Sequence, residues 1–408
     1  MDYHTPMLRK EIEFMPKSNE PGSAPPGFIP LCAPEIRGNE WKYVKECLDS
    51  SWVSTVGSYV ERFERDVAAY AGAEYAVAAV NGTSALHVSL LVAGVQPDDE
   101  VLVSTLTFIA PANAIRYAGA WPVFMDAEPA HWQMDVQKVN DFLERECQGV
   151  NGELRNRWTG RRVKAIVPVH VLGHPVDLDP LLALARRFDL RVIEDATESL
   201  GARYKGHRVG ALGDIGCFSF NGNKIITTGG GGMIVTRNKE WAAKLKYLTT
   251  QAKDDPIEYV HHEIGFNYRL TNIQAAMGCA QMEVLDEYIA AKRAIAAGYD
   301  SEFAKVPGLA PMRQAAWAES ICWMYTMRVD AAHYGEDSRA LLRRLGELKI
   351  QARPLWQPCH MSPAHQPAQA YHCDVAEELY RTAISLPCSV GLTPEQQKRV
   401  VDAVMKQS

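Results

Sequence analysis

Short apolar runs alternate with longer segments of mixed polar and apolar residues along most of the chain. The apolar runs predict β-strands at residues 75–80, 100–104, 121–125, 164–169, 191–194, 215–220 and 232–235. The mixed segments predict helices at residues 39–49, 58–70, 84–93, 110–117, 181–188 and 241–247. Strands that alternate with helices are typical of an α/β fold, in which helices flank a mostly parallel central sheet.

The pattern changes near residue 281. A long helical stretch at residues 282–303 is followed by a predicted strand at 320–329 and then by helices and turns. We therefore expect a large domain over residues 28–281 and a smaller C-terminal α+β domain over residues 282–408. Residues 1–27 contain several prolines and glycines and predict an arm or tail without regular structure of its own.

The loop between the last two predicted strands of the large domain carries the most informative residue, Lys224. It follows Phe-Ser-Phe-Asn-Gly-Asn and precedes two threonines and the glycines 229–232. A lysine held between two strands among small residues can be partly desolvated, as an amine that forms a Schiff base needs to be. The alternative is a surface lysine in a glycine-rich turn. The glycines lead into a strand and not a helix, so we interpret them as residues that let backbone pass close to the lysine.

A second element with matching chemistry lies 29 positions upstream. An apolar strand ends at Asp195, and the carboxyl ends of parallel strands face the ligand crevice of such a sheet. Pyridoxal phosphate needs a carboxylate beside its ring nitrogen, because the protonated ring is what accepts electrons. Asp195 could instead cap a helix. Together with Lys224 it predicts a pyridoxal phosphate site.

A third element provides a place for a phosphate. The predicted strand at residues 75–80 runs into Gly82, Thr83 and Ser84 at the start of a helix. Free backbone N–H groups and the helix dipole favour an anion at such a position. The alternative is that Thr83 or Ser84 only caps the helix.

These elements resemble the DegT/StrS-type nucleotide-sugar aminotransferases, which are fold-type I pyridoxal phosphate enzymes. The resemblance runs from about residue 28 to about residue 360. It also includes Trp-Val-Ser-Thr-Val-Gly at 52–57, Thr-Phe-Ile-Ala-Pro at 107–111, Pro-Val-His at 168–170 and Gly-Phe-Asn-Tyr-Arg-Leu-Thr at 265–271. The motifs occur in the family's order and at its spacing. The resemblance implies the fold-type I architecture and a homodimer with shared active sites.

The resemblance also implies a role for each matching residue. Lys224 matches the Schiff-base lysine, Asp195 the partner of the pyridine nitrogen and Phe108 the aromatic residue that stacks on the ring. The implied cofactor-binding residues are Gly82, Thr83, Ser84, Phe108, Asp195, Glu198, Ser219, Asn221 and Asn267. The implied substrate-binding residues are Thr55, His170, Arg269 and Arg353. Asn267 and Arg269 match residues that reach into the neighbouring subunit's site, whereas a structural His170 and an ordinary surface Arg353 remain open alternatives.

Two positions depart from the commonest family pattern, namely Glu198, where the family often has Gln, and Asn221, where it often has His. The surrounding sequence resembles a branch that aminates the 4-position of UDP-linked 4-keto-6-deoxy-N-acetylhexosamines, on routes such as that to legionaminic acid. The implied function is ping-pong transfer of an amino group from L-glutamate to the 4-keto carbon of such a nucleotide sugar, in amino-sugar and polysaccharide or O-antigen biosynthesis.

Two other functions remain open for a chain of this fold. Some relatives are pyridoxal phosphate-dependent sugar dehydratases, but these replace the lysine by histidine, so Lys224 argues against that activity. A non-catalytic sensor or scaffold is the second alternative, and the presence of Lys224, Asp195 and Ser219 argues against it.

Composition adds limits to this interpretation. The 408 residues are 47% apolar and carry a net charge of −6, and without a basic cluster the chain is not expected to bind nucleic acid. The nine cysteines are scattered without a Cys-x-x-Cys pair and predict free thiols in a reducing cytoplasm. His261 and His262 lack a third ligand at metal spacing, so no metal site is predicted. No apolar run has the length of a membrane helix and no signal peptide is apparent, so a soluble cytoplasmic protein is expected.

Overall fold

An eight-stranded sheet forms the centre of the protein in the computed structural model, which describes residues 26–255 and 257–405. Most of the predicted N-terminal arm, residues 1–25, lies outside the described residues. The strands are β1 Tyr75–Ala79, β2 Glu100–Ser104, β3 Trp121–Met125, β4 Cys147–Val150, β5 Glu153–Asn156, β6 Val163–Val167, β7 Arg191–Asp195, β8 Arg203–Tyr204, β9 His207–Arg208, β10 Ile215–Ser219, β11 Gly232–Thr236, β12 Leu309–Pro311, β13 Ala318–Glu319, β14 Tyr325–Val329, β15 Arg353–Pro354, β16 Ala370–Tyr371 and β17 Ala383–Leu386.

The helices cover both faces of this sheet and surround a second, smaller one. They are α1 Glu40–Asp49, α2 Ser58–Ala71, α3 Gly82–Val92, α4 Ala110–Tyr117, α5 Val136–Asp141, α6 Leu178–Arg187, α7 Lys239–Thr249, α8 Asn272–Met282, α9 Leu285–Phe303, α10 Ala331–Tyr334, α11 Ser338–Glu347, α12 Asp374–Thr382 and α13 Pro394–Met405. Side-chain oxygens of the residue before the helix accept N–H groups of the first turn at Asn81, Asp135, Asn238, Thr271, Asp330 and Asp337. These caps explain why the six helices that follow them begin where they do.

The central sheet is mostly parallel, as the alternation of strands and helices predicted. Its order is β1-β11-β10-β7-β6-β2-β3-β16, and of these strands β11 alone runs antiparallel to its neighbours. Alternate residues of one strand enter opposite cores, because successive side chains point to opposite faces of a sheet. Val101 and Val103 pack on the face that α3 and α4 cover, whereas Leu102 packs on the other face with Phe63 of α2. Both faces are thus buried, as is usual for parallel sheets.

A second sheet of four antiparallel strands, in the order β12-β14-β17-β15, lies in the C-terminal region. The sequence predicted one long strand at residues 320–329, but β14 starts only at Tyr325. The preceding residues form a loop in which Cys322 has a positive φ of 51°, a backbone conformation that a strand does not allow.

One segment of each predicted domain packs against the sheet of the other predicted domain. Ile29 forms a parallel bridge with Ile350 and lies in the apolar cluster of the four-stranded sheet. Conversely, β16 pairs with β3 at the edge of the central sheet. The turn between α8 and α9 falls beside the predicted boundary at residue 281. The division into residues 28–281 and 282–408 therefore stays a prediction. The segment around Ile29 packs with the C-terminal sheet, and β16 joins the central sheet.

Candidate active site

Strand register brings the three predicted elements together. Gly232 of β11 pairs with Ala79 of β1 on one side and with Ser219 of β10 on the other. The turn after β1 therefore lies close to the end of β10. A Cβ atom added to Gly82 would lie 3.0 Å from the Cβ atom of Ser219, and one added to Gly232 would lie 2.5 Å from the backbone of Asn81. Glycine at both positions allows this close approach.

The start of α3 offers unpaired donors beside Ser219. Asn81 provides the cap, because its side-chain oxygen accepts the Ser84 N–H at 2.8 Å. Neither Thr83 nor Ser84 is therefore needed as the cap. The N–H groups of the first helical residues, Gly82 and Thr83, have no partner inside a helix. With the hydroxyl of Ser219 they form a set of donors suited to a phosphate.

Asp195 ends β7 as a buried carboxylate with few donors. Among the described residues only Thr197 donates hydrogen bonds to it, with its backbone N–H at 3.1 Å. Burial raises the pKa of Asp195, and the Lys224 ammonium opposes that shift. A buried carboxylate in this state can accept one more proton donor, such as a protonated ring nitrogen.

Lys224 lies in the turn that follows β10, between two strands as predicted. Its Nζ atom lies 3.8 Å from Oε1 of Glu198 and 4.4 Å from the centre of the Trp323 ring, and its side chain is 13% exposed. Glu198 also accepts the backbone N–H of Leu172 at 2.8 Å. Leu172 adopts a left-handed φ of 61°, which is strained for a leucine and holds that N–H towards the carboxylate. Burial raises the pKa of Glu198 to about 7, against the opposing effect of the Lys224 ammonium.

One cavity of about 370 Å³ joins these groups. Eight of the predicted residues line it: Gly82, Thr83, Phe108, Asp195, Glu198, Ser219, Asn221 and Lys224. The volume is in the range of small-molecule sites. An anion cradle, a buried carboxylate with room for a further donor and a partly desolvated amine lie in one cavity. They fit the phosphate, ring nitrogen and aldehyde of pyridoxal phosphate.

His170 does not line this cavity, contrary to the prediction of a substrate contact. It is fully buried, and its Nε2 atom lies 3.0 Å from Oε2 of Glu194. Its Nδ1 atom accepts the backbone N–H of Val176 at 3.1 Å, so Nε2 carries the proton that Glu194 accepts. The backbone N–H of His170 also donates to the carbonyl of Asp195 at 3.0 Å. This geometry agrees with the alternative interpretation, in which His170 is a structural residue that supports the end of β7.

Five further predicted residues lie away from the cavity lining. Ser84 is buried and bound to the cap, and Thr55 is partly exposed. Arg353 and Asn267 are exposed. Arg269 is partly buried, and its Nε atom has no hydrogen-bond partner among the residues that the structure describes. In a single chain, these side chains do not complete the cavity.

Sequence reasoning missed two tryptophans on the cavity wall. Trp323 and Trp356 are stacked with their ring centres 6.3 Å apart, and both line the cavity. Trp323 also donates its indole N–H to the carbonyl of Asn223 at 2.7 Å, which holds the turn before Lys224. Both residues lie in the C-terminal half, about a hundred positions or more after Lys224, and no local motif connects them to the cofactor elements.

The described residues contain no cluster of three or more side chains that could hold a metal ion. In the same part of the chain, no helix combines the length and the apolar character needed to cross a membrane.

The chain is similar to proteins of a known family. Residues 34–405 match the model of the DegT/DnrJ/EryC1/StrS aminotransferase family. A GDP-perosamine synthase of Caulobacter vibrioides is 39% identical over 377 residues, which cover 92% of this chain and 97% of the relative. A putative pyridoxal phosphate-dependent aminotransferase of Bacillus subtilis, EpsN, is 38% identical over 381 residues, with 92% and 95% covered.

Solved structures agree with the sequence relatives. The aminotransferase TlmJ of Streptoalloteichus hindustanus superposes with a TM-score of 0.84 at 28% identity, and the match covers 93% of this chain and 98% of that chain. The fold-type I architecture predicted from the sequence is thereby confirmed. The chain belongs to the DegT/DnrJ/EryC1/StrS aminotransferase family and is a pyridoxal phosphate-dependent nucleotide-sugar aminotransferase.

Proposed function

We propose that the protein transfers an amino group from L-glutamate to the 4-keto carbon of a nucleotide-linked 4-keto-6-deoxy sugar. The observation that carries this proposal is the single cavity in which Lys224, Asp195 and the donors around Ser219 meet. The two stacked tryptophans give the same cavity an aromatic wall, on which the apolar face of a sugar ring can pack.

Each residue has a defined task in this proposal. Pyridoxal phosphate supplies an aldehyde that binds amines and a ring that accepts electrons. Lys224 holds the cofactor and, as a free amine, takes up and returns the proton that amino transfer moves. Asp195 keeps a proton on the ring nitrogen, while Gly82, Thr83 and Ser219 bind the phosphate. Glu198 lies 3.8 Å from Lys224 Nζ, and burial raises its pKa to about 7, so the Glu198 carboxyl can take up or release a proton near neutral pH.

The nucleotide is proposed to be GDP. The support is the name of the Caulobacter relative, a GDP-perosamine synthase. The motif resemblance described above implied instead a UDP-linked N-acetylhexosamine, so the two substrates are the main alternatives.

Activity measurements on a set of nucleotide sugars distinguish the GDP-linked substrate from the UDP-linked one. Purified holoenzyme is incubated with L-glutamate and with GDP-, UDP- and dTDP-linked 4-keto-6-deoxy sugars, and the products are analysed by mass spectrometry. We expect a 4-amino sugar and 2-oxoglutarate, with the highest kcat/KM for the GDP sugar. A preference for the UDP-N-acetylhexosamine would restore the motif-based assignment. A sugar that loses a hydroxyl without gaining nitrogen would indicate a dehydratase and overturn the proposal.

We further propose that the active unit is a homodimer with shared sites. Within the described part of the chain, Arg269 has a buried Nε atom without a partner, and Asn267, two positions before it, is exposed. Large apolar side chains are also exposed in two segments that carry the family resemblance, including Trp52 at 56%, Val56 at 61% and Phe108 at 56%. A second copy of the chain can cover these groups, with Asn267 and Arg269 reaching into its cavity.

Subunit mixing tests this arrangement. A Lys224→Ala subunit and an Asn267→Ala, Arg269→Ala subunit are each expected to be inactive as homodimers. In a heterodimer with shared sites, both sets of substitutions fall in the same active site, and the other active site keeps all its native residues. Mixing the two proteins should therefore restore part of the activity. If proven subunit exchange restores none, the two residues act within their own chain.

A further inference from the structure

A buried lysine outside the cavity lies between two thiols. Lys292, in α9, is 2% exposed. Its Nζ atom donates to the carbonyl of Trp323 at 2.9 Å and lies 3.4 Å from Sγ of Cys32 and 3.6 Å from Sγ of Cys388. All cysteines of the described chain are free thiols. None of the proposed steps of amino transfer uses this cluster.

The backbone holds the two cysteines side by side. The Cys388 N–H donates to the carbonyl of Leu31 at 2.8 Å, and the Ala33 N–H donates to the hydroxyl of Ser389 at 2.9 Å. The segments on either side of Cys32 and Cys388 are therefore hydrogen-bonded neighbours. This brings the chain segments of the two cysteines next to each other, as a disulfide between them requires. Both sulfur atoms also contact the same Lys292 ammonium, which keeps them close to each other.

The charge of Lys292 favours a thiolate in this cluster. A buried ammonium needs an anionic partner, and among the described residues no carboxylate is within ion-pair distance of it. The neighbouring Cys32 thiol and the Lys292 ammonium lower the pKa of Cys388. The same contact with Cys388, together with burial, raises the pKa of Cys32, which stays a thiol. A thiolate beside a lysine and next to a second thiol is the arrangement of peroxide-reactive cysteines.

We propose that Cys388 and Cys32 are a peroxide-sensitive dithiol. The Cys388 thiolate attacks hydrogen peroxide, breaks its O–O bond and becomes a sulfenic acid, and the hydroxide that leaves takes up a proton to form water. The Cys32 sulfur then attacks the sulfenic sulfur, an S–S bond forms, and a second water leaves with the Cys32 proton. Two thiols are thereby oxidised by two electrons, and one peroxide is reduced to two waters. Cys32 is partly exposed, which gives the small oxidant a way in.

The dithiol is connected to the active site by short contacts. The Cys32 thiol donates to the carbonyl of Asn223 at 3.3 Å, directly before Lys224. Trp323 links the two lysines, because its carbonyl binds Lys292 and its ring lies 4.4 Å from Lys224 Nζ. A disulfide removes the Cys32 donor and draws its sulfur to about 2 Å from Cys388. Oxidation is thus expected to displace the Lys224 turn and to lower amino transfer by roughly tenfold, a typical coupling between two sites.

Peptide mass spectrometry on the holoenzyme is the primary test. The enzyme is treated with hydrogen peroxide, remaining thiols are alkylated, and disulfide-linked peptides are identified. We expect a Cys32–Cys388 cross-link that dithiothreitol reverses, with activity falling and recovering in parallel. This readout does not depend on which nucleotide sugar is the substrate. Finding Cys32 and Cys388 still reduced, or Cys388 oxidised to a sulfinic acid without a cross-link, would overturn the proposal.

Matched variants separate this dithiol from general oxidation. Cys32→Ser keeps a donor for Asn223, so its basal activity is expected to be unchanged, but it should lose the reversible inhibition. Cys388→Ser should also lose it. Cys322→Ser removes the other partly exposed cysteine and should respond like the wild type. If Cys32→Ser is still inhibited reversibly, or if Cys322→Ser alone is protected, another thiol is responsible and the assignment is wrong.

Discussion

Lys224 and Lys292 are both withdrawn from solvent, yet their surroundings suit them to opposite tasks. Lys224 is in a turn at the wall of a cavity, with a carboxylate at 3.8 Å and a side chain that is 13% exposed. Lys292 is in the middle of a long helix, enclosed by two sulfur atoms and a carbonyl oxygen. The first amine can reach a ligand and exchange a proton, whereas the second can only balance charge. Burial alone therefore does not identify a catalytic lysine, and the decisive differences are access and the nature of the neighbouring acid.

Replacing Lys224 should have the largest effect on turnover. Lys224→Ala removes both the cofactor's covalent partner and the proton carrier, so we expect amino transfer to fall by at least about a thousandfold. The unfolding transition should change little, since the side chain faces a cavity. Borohydride treatment of the wild type should attach the cofactor to the peptide that contains Lys224.

The matched control is Lys205→Ala, which removes an exposed lysine that forms an ion pair with the exposed Asp179 and should keep full activity. A borohydride label on Lys292 instead of Lys224 would break the comparison between the two lysines.

Asp195→Asn should have the next largest effect. The variant keeps the shape of the side chain but loses the charge that holds a proton on the ring nitrogen, so turnover should drop by on the order of a hundredfold. Because burial already raises the pKa of Asp195, a neutral side chain should not destabilise the cofactor-free protein. Turnover and urea unfolding are measured together, with Asp179→Asn at an exposed position as control. Near-normal turnover of Asp195→Asn would show that Asp195 has only a structural role.

Glu198→Gln should change turnover severalfold at most and alter the pH dependence of stability. Burial raises the pKa of Glu198 to about 7, so the folded protein keeps this proton to a higher pH than the unfolded chain does. The stability that the neutral form contributes is complete below the ordinary glutamate pKa and is lost as the pH rises to about 7. The loss amounts to about 3 kcal/mol. Urea unfolding of the cofactor-free protein between pH 4.5 and 7.5 should show this decline in the wild type and not in the variant.

Lys292→Met should have the smallest effect on turnover. The substitution removes the Lys292 donor from the buried Trp323 carbonyl, which keeps only the weak sulfur contact of Cys388 at 3.5 Å, and should cost about 1–3 kcal/mol of unfolding free energy. Without the ammonium, the Cys388 thiolate loses its cation, so the pKa of this thiol should rise and its alkylation at neutral pH should slow. A large loss of kcat at unchanged stability would show that Lys292 takes part in catalysis, as Lys224 is proposed to do, and does not only balance charge.

The cofactor elements could be predicted because each is encoded in a few consecutive residues. Strands β2 and β3 begin and end where the apolar pattern predicted, and the ends of parallel strands necessarily share one edge of the sheet. Asp195, Ser219 and the turn at Gly82 follow from that rule, and they line one cavity. The rule fails for His170, which also follows a strand of the same sheet. Its side chain turns into the core to meet Glu194, and the sequence carries no sign of that choice.

The sequence by itself determined the mostly parallel sheet with its flanking helices and indicated the lysine, the aspartate and the glycine turn that line one cavity, since periodicity and strand ends are local properties. Only the tertiary structure decided the remainder of the site and the dithiol. Trp323 and Trp356 reach the cavity from the C-terminal half, and Cys32, Lys292 and Cys388 are separated by 260 and 96 positions along the chain. Contacts between such distant residues depend on how whole helices and sheets pack. That packing is the sum of many small burial and hydrogen-bond energies, and no short sequence pattern records it.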